Sequence, residues 1–82
     1  MSSEFDLRAL GHEIQRIRHV KGLSLQDVAD RTGLERQSIS RYENAKTNPS
    51  VRILWQIAVA LDTNLSEIVQ VLDHKPATTE DS

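Results

Sequence analysis

The 82-residue chain contains no cysteine, only two prolines and three glycines, and a single copy each of Trp, Tyr and Phe. Without cysteine there is no disulfide staple and no thiolate to act as nucleophile or metal ligand, a usage that fits a reducing compartment. Three aromatic residues give little bulk for a core, so one small, marginally stable domain is the expected scale. No apolar run is long enough to cross a bilayer, and the polar start MSSEFD is no secretory leader. These absences predict a soluble chain working in the cytoplasm, with no membrane partner.

Charge is nearly balanced in total and uneven in placement. The net charge is −2, which mildly opposes a polyanionic partner, because Lys and Arg neutralising phosphates supply much of the affinity for nucleic acid. Between Arg16 and Lys46, however, Arg16, Arg18, Lys21, Arg31, Arg36, Arg41 and Lys46 outnumber Asp27, Asp30, Glu35 and Glu43, and the acidic residues gather toward the two ends. A positive middle suits a nucleic acid. It equally suits arginines that do no more than solvate helix faces.

Periodicity predicts an all-α chain of five helices. Leu7, Leu10, Ile14 and Ile17 recur at helical spacing and Gly22 closes the first helix. Ser24 with Asp27 reads as a capping box opening a second helix that carries Leu25, Val28 and Ala29, and Gly33 ends it. The third helix is expected from about Glu35 to Asn44. Asn48, Pro49 and Ser50 punctuate the chain, and a fourth helix follows from Val51 to Leu61 with Ser50 as N-cap. Asn64 with Glu67 reads as another capping box, starting a fifth helix that runs through Leu72. The expected organisation is a flexible arm at 1–6, one domain at 7–73 and a disordered tail at 74–82, where KPATTEDS has no apolar side chain larger than alanine.

Two short helices separated by one glycine have the spacing of a helix-turn-helix, in which the second helix is held toward a DNA groove. At about 100° per residue from Ile39, Tyr42 falls near 300° and Glu43 near 40°, while Ser40, Asn44, Gln37 and Arg41 spread over roughly 100° to 200°. One side of the third helix therefore packs and the other is a row of hydrogen-bonding groups. Gln is matched to N6 and N7 of adenine and Arg to O6 and N7 of guanine. An amphipathic helix with its polar side in water has the same wheel; the preceding glycine turn is what favours a reader of duplex DNA.

The run Leu23 to Pro49, and more loosely Leu10 to Leu72, resembles the lambda-repressor-like helix-turn-helix family, the Cro and phage-repressor group also called XRE-type regulators. Its most specific stretch is GLERQSISRYENAKTNPS. The resemblance implies a compact five-helix DNA-binding domain that inserts its third helix into the major groove of a palindromic operator as a homodimer, and a transcriptional regulator, as a repressor. It implies base contacts from Arg36, Gln37 and Arg41, with Ser38 and Ser40 meeting phosphate or base. Asn44, Lys46 and Thr47 match the loop that grips the sugar-phosphate backbone. It also implies an ion pair between Arg18 and Glu43, whose positions border the buried faces of the first and third helices. Leu25 stands where the family commonly has Gln reaching a phosphate; either Ser24 or Gln26 replaces that contact or it is lost. Glu35 stands where Ser or Thr is usual, and would either cap the helix or accept from a cytosine N4 amine. Ala45 and Asp62 replace residues that are often Gly, which predicts strained turns.

The fourth and fifth helices carry more apolar surface than a small domain buries. Val51, Leu54, Ala58 and Leu61 form the expected core stripe, leaving Trp55 and Val59 on a neighbouring strip, and Val69 and Val71 lie beside the core set Leu65, Ile68 and Leu72. Trp55, Val59, Val69, Val71 and Leu72 are the expected homodimer interface; a Trp55 that completes the core is the competing reading. His12, His19 and His74 are scattered, with no metal-ligand spacing, no glycine-rich phosphate loop and no nucleophile-base arrangement. No catalytic residue, metal, cofactor or small-molecule effector is expected. The competing function is a protein-interaction module, antitoxin-like or docking on the transcription machinery.

Overall fold

A computed structural model describes residues 5–73, and every regular element among them is helical: α1 (Leu7–Val20), α2 (Leu25–Thr32), α3 (Arg36–Glu43), α4 (Val51–Ala60) and α5 (Leu65–Val69), followed by a 3₁₀ turn, Gln70–Asp73. The expected tail at 74–82 and the arm up to residue 4 lie outside the described residues. Asp6, assigned from sequence to the arm, is the N-cap of α1 and accepts from the Ala9 amide at 3.0 Å.

Local chemistry sets most of the boundaries. At α2, Ser24 Oγ accepts from the Asp27 amide at 2.9 Å while the Asp27 carboxylate accepts from the Ser24 amide at 2.8 Å, so both halves of the capping box are made. Ser50 Oγ accepts from the Ile53 amide at the start of α4. Gly33 takes φ 81° at the end of α2, a conformation that costs glycine nothing. Ala45 and Asp62 occupy the same left-handed region with φ 58° and 57°. The amide after each reaches back to the helix, Lys46 to Arg41 O and Thr63 to Ala58 O, both at 2.9 Å, which satisfies carbonyls that the helix ends would leave unpaired.

Three sequence expectations are corrected. Asn64 makes no side-chain cap bond, so no capping box opens α5. The fifth helix does not run through Leu72; after Val69 the chain tightens into the 3₁₀ turn. Val51 is not core: it is 71% exposed, and the buried side of α4 is Leu54, Ile57, Ala58 and Ala60, continued by Leu61. On the wheel Ile57 and Leu61 face the same way and Val51 is turned some 80° from Leu61, so the true stripe is centred away from the helix's first residue.

The core gathers Leu10, Ile14 and Ile17 of α1, Val28 and Ala29 of α2, Ile39 of α3, the α4 set and Ile68 of α5. α3 lies against both α1 and α2, while α4 lies against α2 and α5. The second and third helices are therefore held from behind by two others, α1 against α3 and α4 against α2, and no described element packs on the outer side of α3.

Candidate nucleic-acid interface

α3 divides sharply by face. Ile39 is fully buried and Glu43 nearly so, whereas Arg36, Gln37, Arg41 and Asn44 are exposed and Ser38 and Ser40 are half-buried. Glu35 is the N-cap residue by position but makes no side-chain cap bond. No side-chain cap is made there, and the Glu35 carboxylate stands at the leading end of the helix, where the macrodipole favours negative charge.

The inner side of α3 is fixed by a buried ion pair. Arg18 Nε donates to Glu43 Oε2 at 2.6 Å and Nη2 to Oε1 at 3.0 Å, a two-pronged fit of guanidinium to carboxylate. Arg18 Nη1 also donates to Leu23 O at 2.9 Å, so the same side chain fastens the turn leading into α2. A carboxylate buried this deeply would be costly alone; the fork and the matched charge offset that cost.

The turn between α2 and α3 has a further fastening. Thr32 Oγ1 donates to Val28 O at 2.8 Å and accepts from the Leu34 amide at 3.1 Å, so one hydroxyl spans the last turn of α2 and the first residue beyond Gly33. After α3, Arg41 Nε donates to Thr47 Oγ1 at 3.1 Å, and Asn44 Nδ2 donates to Ser40 O at 2.8 Å. Lys46 is exposed on this loop.

Pairing redistributes the seven basic residues of the positive middle. Arg16 forks onto Glu13 at 3.0 and 2.6 Å, an interaction that holds the Glu13 carboxyl below its ordinary pKa and raises that of Arg16. Arg18 is committed to Glu43. Lys21, at the end of α1, donates to Asp62 O, and Arg31 of α2 donates to Ala60 O, tying α1 and the helix-turn-helix to the end of α4. Arg36, Arg41 and Lys46 form no salt bridge among the described residues. All three are exposed and lie together in the α3 segment, where they can meet a polyanion.

At the start of α2, Leu25 is half-buried against the core and Gln26 Nε2 donates to Asp30 Oδ1 at 2.8 Å. Ser24 Oγ serves as a cap acceptor and keeps its own proton to donate. The Ser24 amide holds the Asp27 carboxyl below its ordinary pKa. Of the expected interface residues, Trp55 and Val59 are 56% and 58% exposed, and with Val51 they make one apolar stripe along α4. Val69 and Leu72 instead rest partly against the core of their own domain, and Val71 is half-buried.

Sequence reasoning missed Gly11, Thr32 and the bond between Arg41 and Thr47. A glycine inside an otherwise amphipathic helix is the signal that would have found Gly11. Among the described residues no group of three or more His, Cys, Asp or Glu side chains is placed to hold a metal ion, and no helix is long and apolar enough to cross a membrane.

The helix-turn-helix family model HTH_3 matches residues 14–68, well over half of the chain. An uncharacterized HTH-type transcriptional regulator of Sinorhizobium fredii, y4dJ, is 36% identical over 75 residues, covering 90% of this chain and 97% of that protein. The HTH-type transcriptional regulator SinR of Bacillus subtilis is 33% identical over 73 residues, covering 88% of this chain but only 63% of SinR. Among solved structures, the restriction-modification controller protein C.AhdI from Aeromonas hydrophila superposes with a TM-score of 0.75 at 32% identity, over 77% of this chain and 96% of that one. The crystal structure of SinR in complex with DNA gives a TM-score of 0.67 at 31% identity, over 73% of this chain and 97% of that one. The chain belongs to the HTH_3 family of XRE-type helix-turn-helix DNA-binding transcriptional regulators.

Proposed function

We propose that this protein binds a palindromic operator as a homodimer, places α3 of each subunit in the major groove, and acts as a repressor in the cytoplasm. The observation that carries this reading is the outer face of α3, where Arg36, Gln37 and Arg41 are exposed directly behind the Gly33 turn while Ile39 and Glu43 anchor the opposite side. Arg36, Gln37 and Arg41 are assigned to base edges, Ser38 and Ser40 to base or phosphate. Ser24, Gln26, Asn44, Lys46 and Thr47 are assigned to the sugar-phosphate backbone. The bond from Gln26 to Asp30 makes Ser24 the better of the two candidates at the start of α2.

The homodimer reading is supported by the stripe Val51, Trp55 and Val59, a set of large apolar side chains left in water along one side of α4. A homodimer would supply the second recognition helix that a palindromic site requires about 34 Å, one turn of DNA, from the first. Val69, Val71 and Leu72 would form its half-buried margin. Repression needs only that the operator be occupied, which binding alone achieves.

Selection of bound duplexes from a random pool tests the reading. The expected result is an inverted repeat with half-site centres one helical turn apart. Enrichment of no sequence, together with a stable complex with another protein in the absence of DNA, would replace it with the protein-interaction reading.

A further inference from the structure

The loop after α3 does more than approach phosphate: we infer that Thr47 is a positioning residue that sets the angle at which Arg41 meets its base. This inference rests on the assignment of Arg41 to the major groove. Arg41 stands on the outer face of α3 and its Nε donates to Thr47 Oγ1 at 3.1 Å. An arginine side chain is long and has many rotamers, so an exposed one pointing into solvent gives up much conformational freedom on binding. A hydroxyl six residues along the chain that holds the guanidinium before DNA arrives removes part of that cost.

Thr47 is itself well placed to act as a fixed post. It is half-buried, and its loop is locked to α3 by the Lys46 amide bonding to Arg41 O at 2.9 Å and by the left-handed turn at Ala45. The residue that is held and the carbonyl that holds the loop thus belong to the same arginine.

The bond also decides which edge of the guanidinium is presented. Arginine has five N–H donors, one on Nε and two on each terminal nitrogen. With Nε committed to Thr47, a side-on approach through Nε and one terminal nitrogen is closed, and the end-on pair Nη1 and Nη2 is left. That pair matches the two acceptors of guanine, O6 and N7. Thr47 keeps its own hydroxyl proton, so a phosphate contact remains compatible with the bond to Arg41.

The test compares wild type with Thr47→Val, Thr47→Ser, Arg41→Ala and the Arg41→Ala/Thr47→Val double variant on a panel of duplexes carrying every single base change in the selected site. Thermal melting by circular dichroism accompanies each variant. Thr47→Val should lower discrimination about fivefold at the one base pair that Arg41→Ala also flattens, the value of roughly one hydrogen bond. Thr47→Ser should restore it, and the double variant should lose no more than Arg41→Ala alone. A uniform loss on all duplexes with the discrimination profile unchanged, or no loss from Thr47→Val where Arg41→Ala flattens a position, overturns the positioning role and leaves the base assignment standing. An Arg41→Ala profile identical to wild type overturns the base assignment itself and the inference with it.

Discussion

Gly11 of α1 faces the last turn of α3 so closely that a Cβ built on it would lie 2.5 Å from Tyr42 O and 2.6 Å from Glu43 O. The two helices meet backbone to backbone there, and the atoms in the way are carbonyls that cannot rotate aside. Alanine at this position would gain about 1 kcal/mol of helix propensity. The overlap should outweigh that gain, since overpacking typically costs 1–3 kcal/mol and more when backbone must move. Gly11→Ala should therefore melt lower than wild type by several degrees in a thermal scan. A higher melting temperature would show that the close approach is not fixed.

The Arg18–Glu43 pair gives a second test on the same seam. Glu43→Gln or Arg18→Met leaves one charge buried without its counterpart and should cost about 3–5 kcal/mol, read as a lower midpoint in urea. Replacing both with apolar residues should cost much less than either single change, because no unpaired charge remains. A double variant as unstable as the sum of the singles would remove electrostatics as the cause.

On DNA, Gln37→Ala and Arg41→Ala should each reduce discrimination between cognate and random duplexes by about 1–3 kcal/mol without altering the circular dichroism spectrum. Lys46→Ala should weaken binding to all sequences alike and lower the slope of log affinity against log salt by about one. A changed sequence preference with an unchanged slope would exchange these roles.

Assembly is best probed at the ends of the exposed stripe. Val51→Glu with Val59→Glu places carboxylates on residues already 71% and 58% exposed in the single domain, so the fold should be indifferent. In a two-fold interface they would be buried near one another, and sedimentation should show a monomer where wild type is a dimer. Wild type that stays monomeric both free and on its operator would exclude the interface.

The capping box predicts a pH dependence with a definite sign. Because the Ser24 amide stabilises the Asp27 carboxylate, this group binds its proton less readily folded than unfolded. Its contribution is then fully present above the unfolded value of about 3.9 and disappears as pH falls through the lower folded value. The difference in melting temperature between wild type and Asp27→Asn should be constant near neutrality and shrink below about pH 4. A difference that persists undiminished in acid would assign it to geometry rather than charge.

What could be read without coordinates follows from how local each signal is. The α2 cap and the Gly33 turn are written within four residues of where they act, and the split between Ile39 and Gln37 needs only the helical period. Period alone puts Val51 in the core stripe because it has no reference direction; which way α4 faces is decided by α2 and α5. The Asn64 cap and the extent of α5 failed for a related reason, since a five-residue helix takes its shape from packing more than from propensity. The approach of Gly11 to Tyr42 and Glu43 and the hold of Thr47 on Arg41 are distances between separate elements; a glycine inside α1 signals the first, and no spacing along the chain encodes the second.

The attachment of α3 to α1 through Arg18, Glu43 and Gly11 has a consequence for specificity. Eight residues are too few to stay helical in water, so the surface of Arg36, Gln37 and Arg41 exists only while α1 is docked behind it. Those outward residues touch none of the docking atoms. Under the proposed function, substitutions at this handful of outward positions would change the DNA sequence preferred while leaving the seam behind them intact.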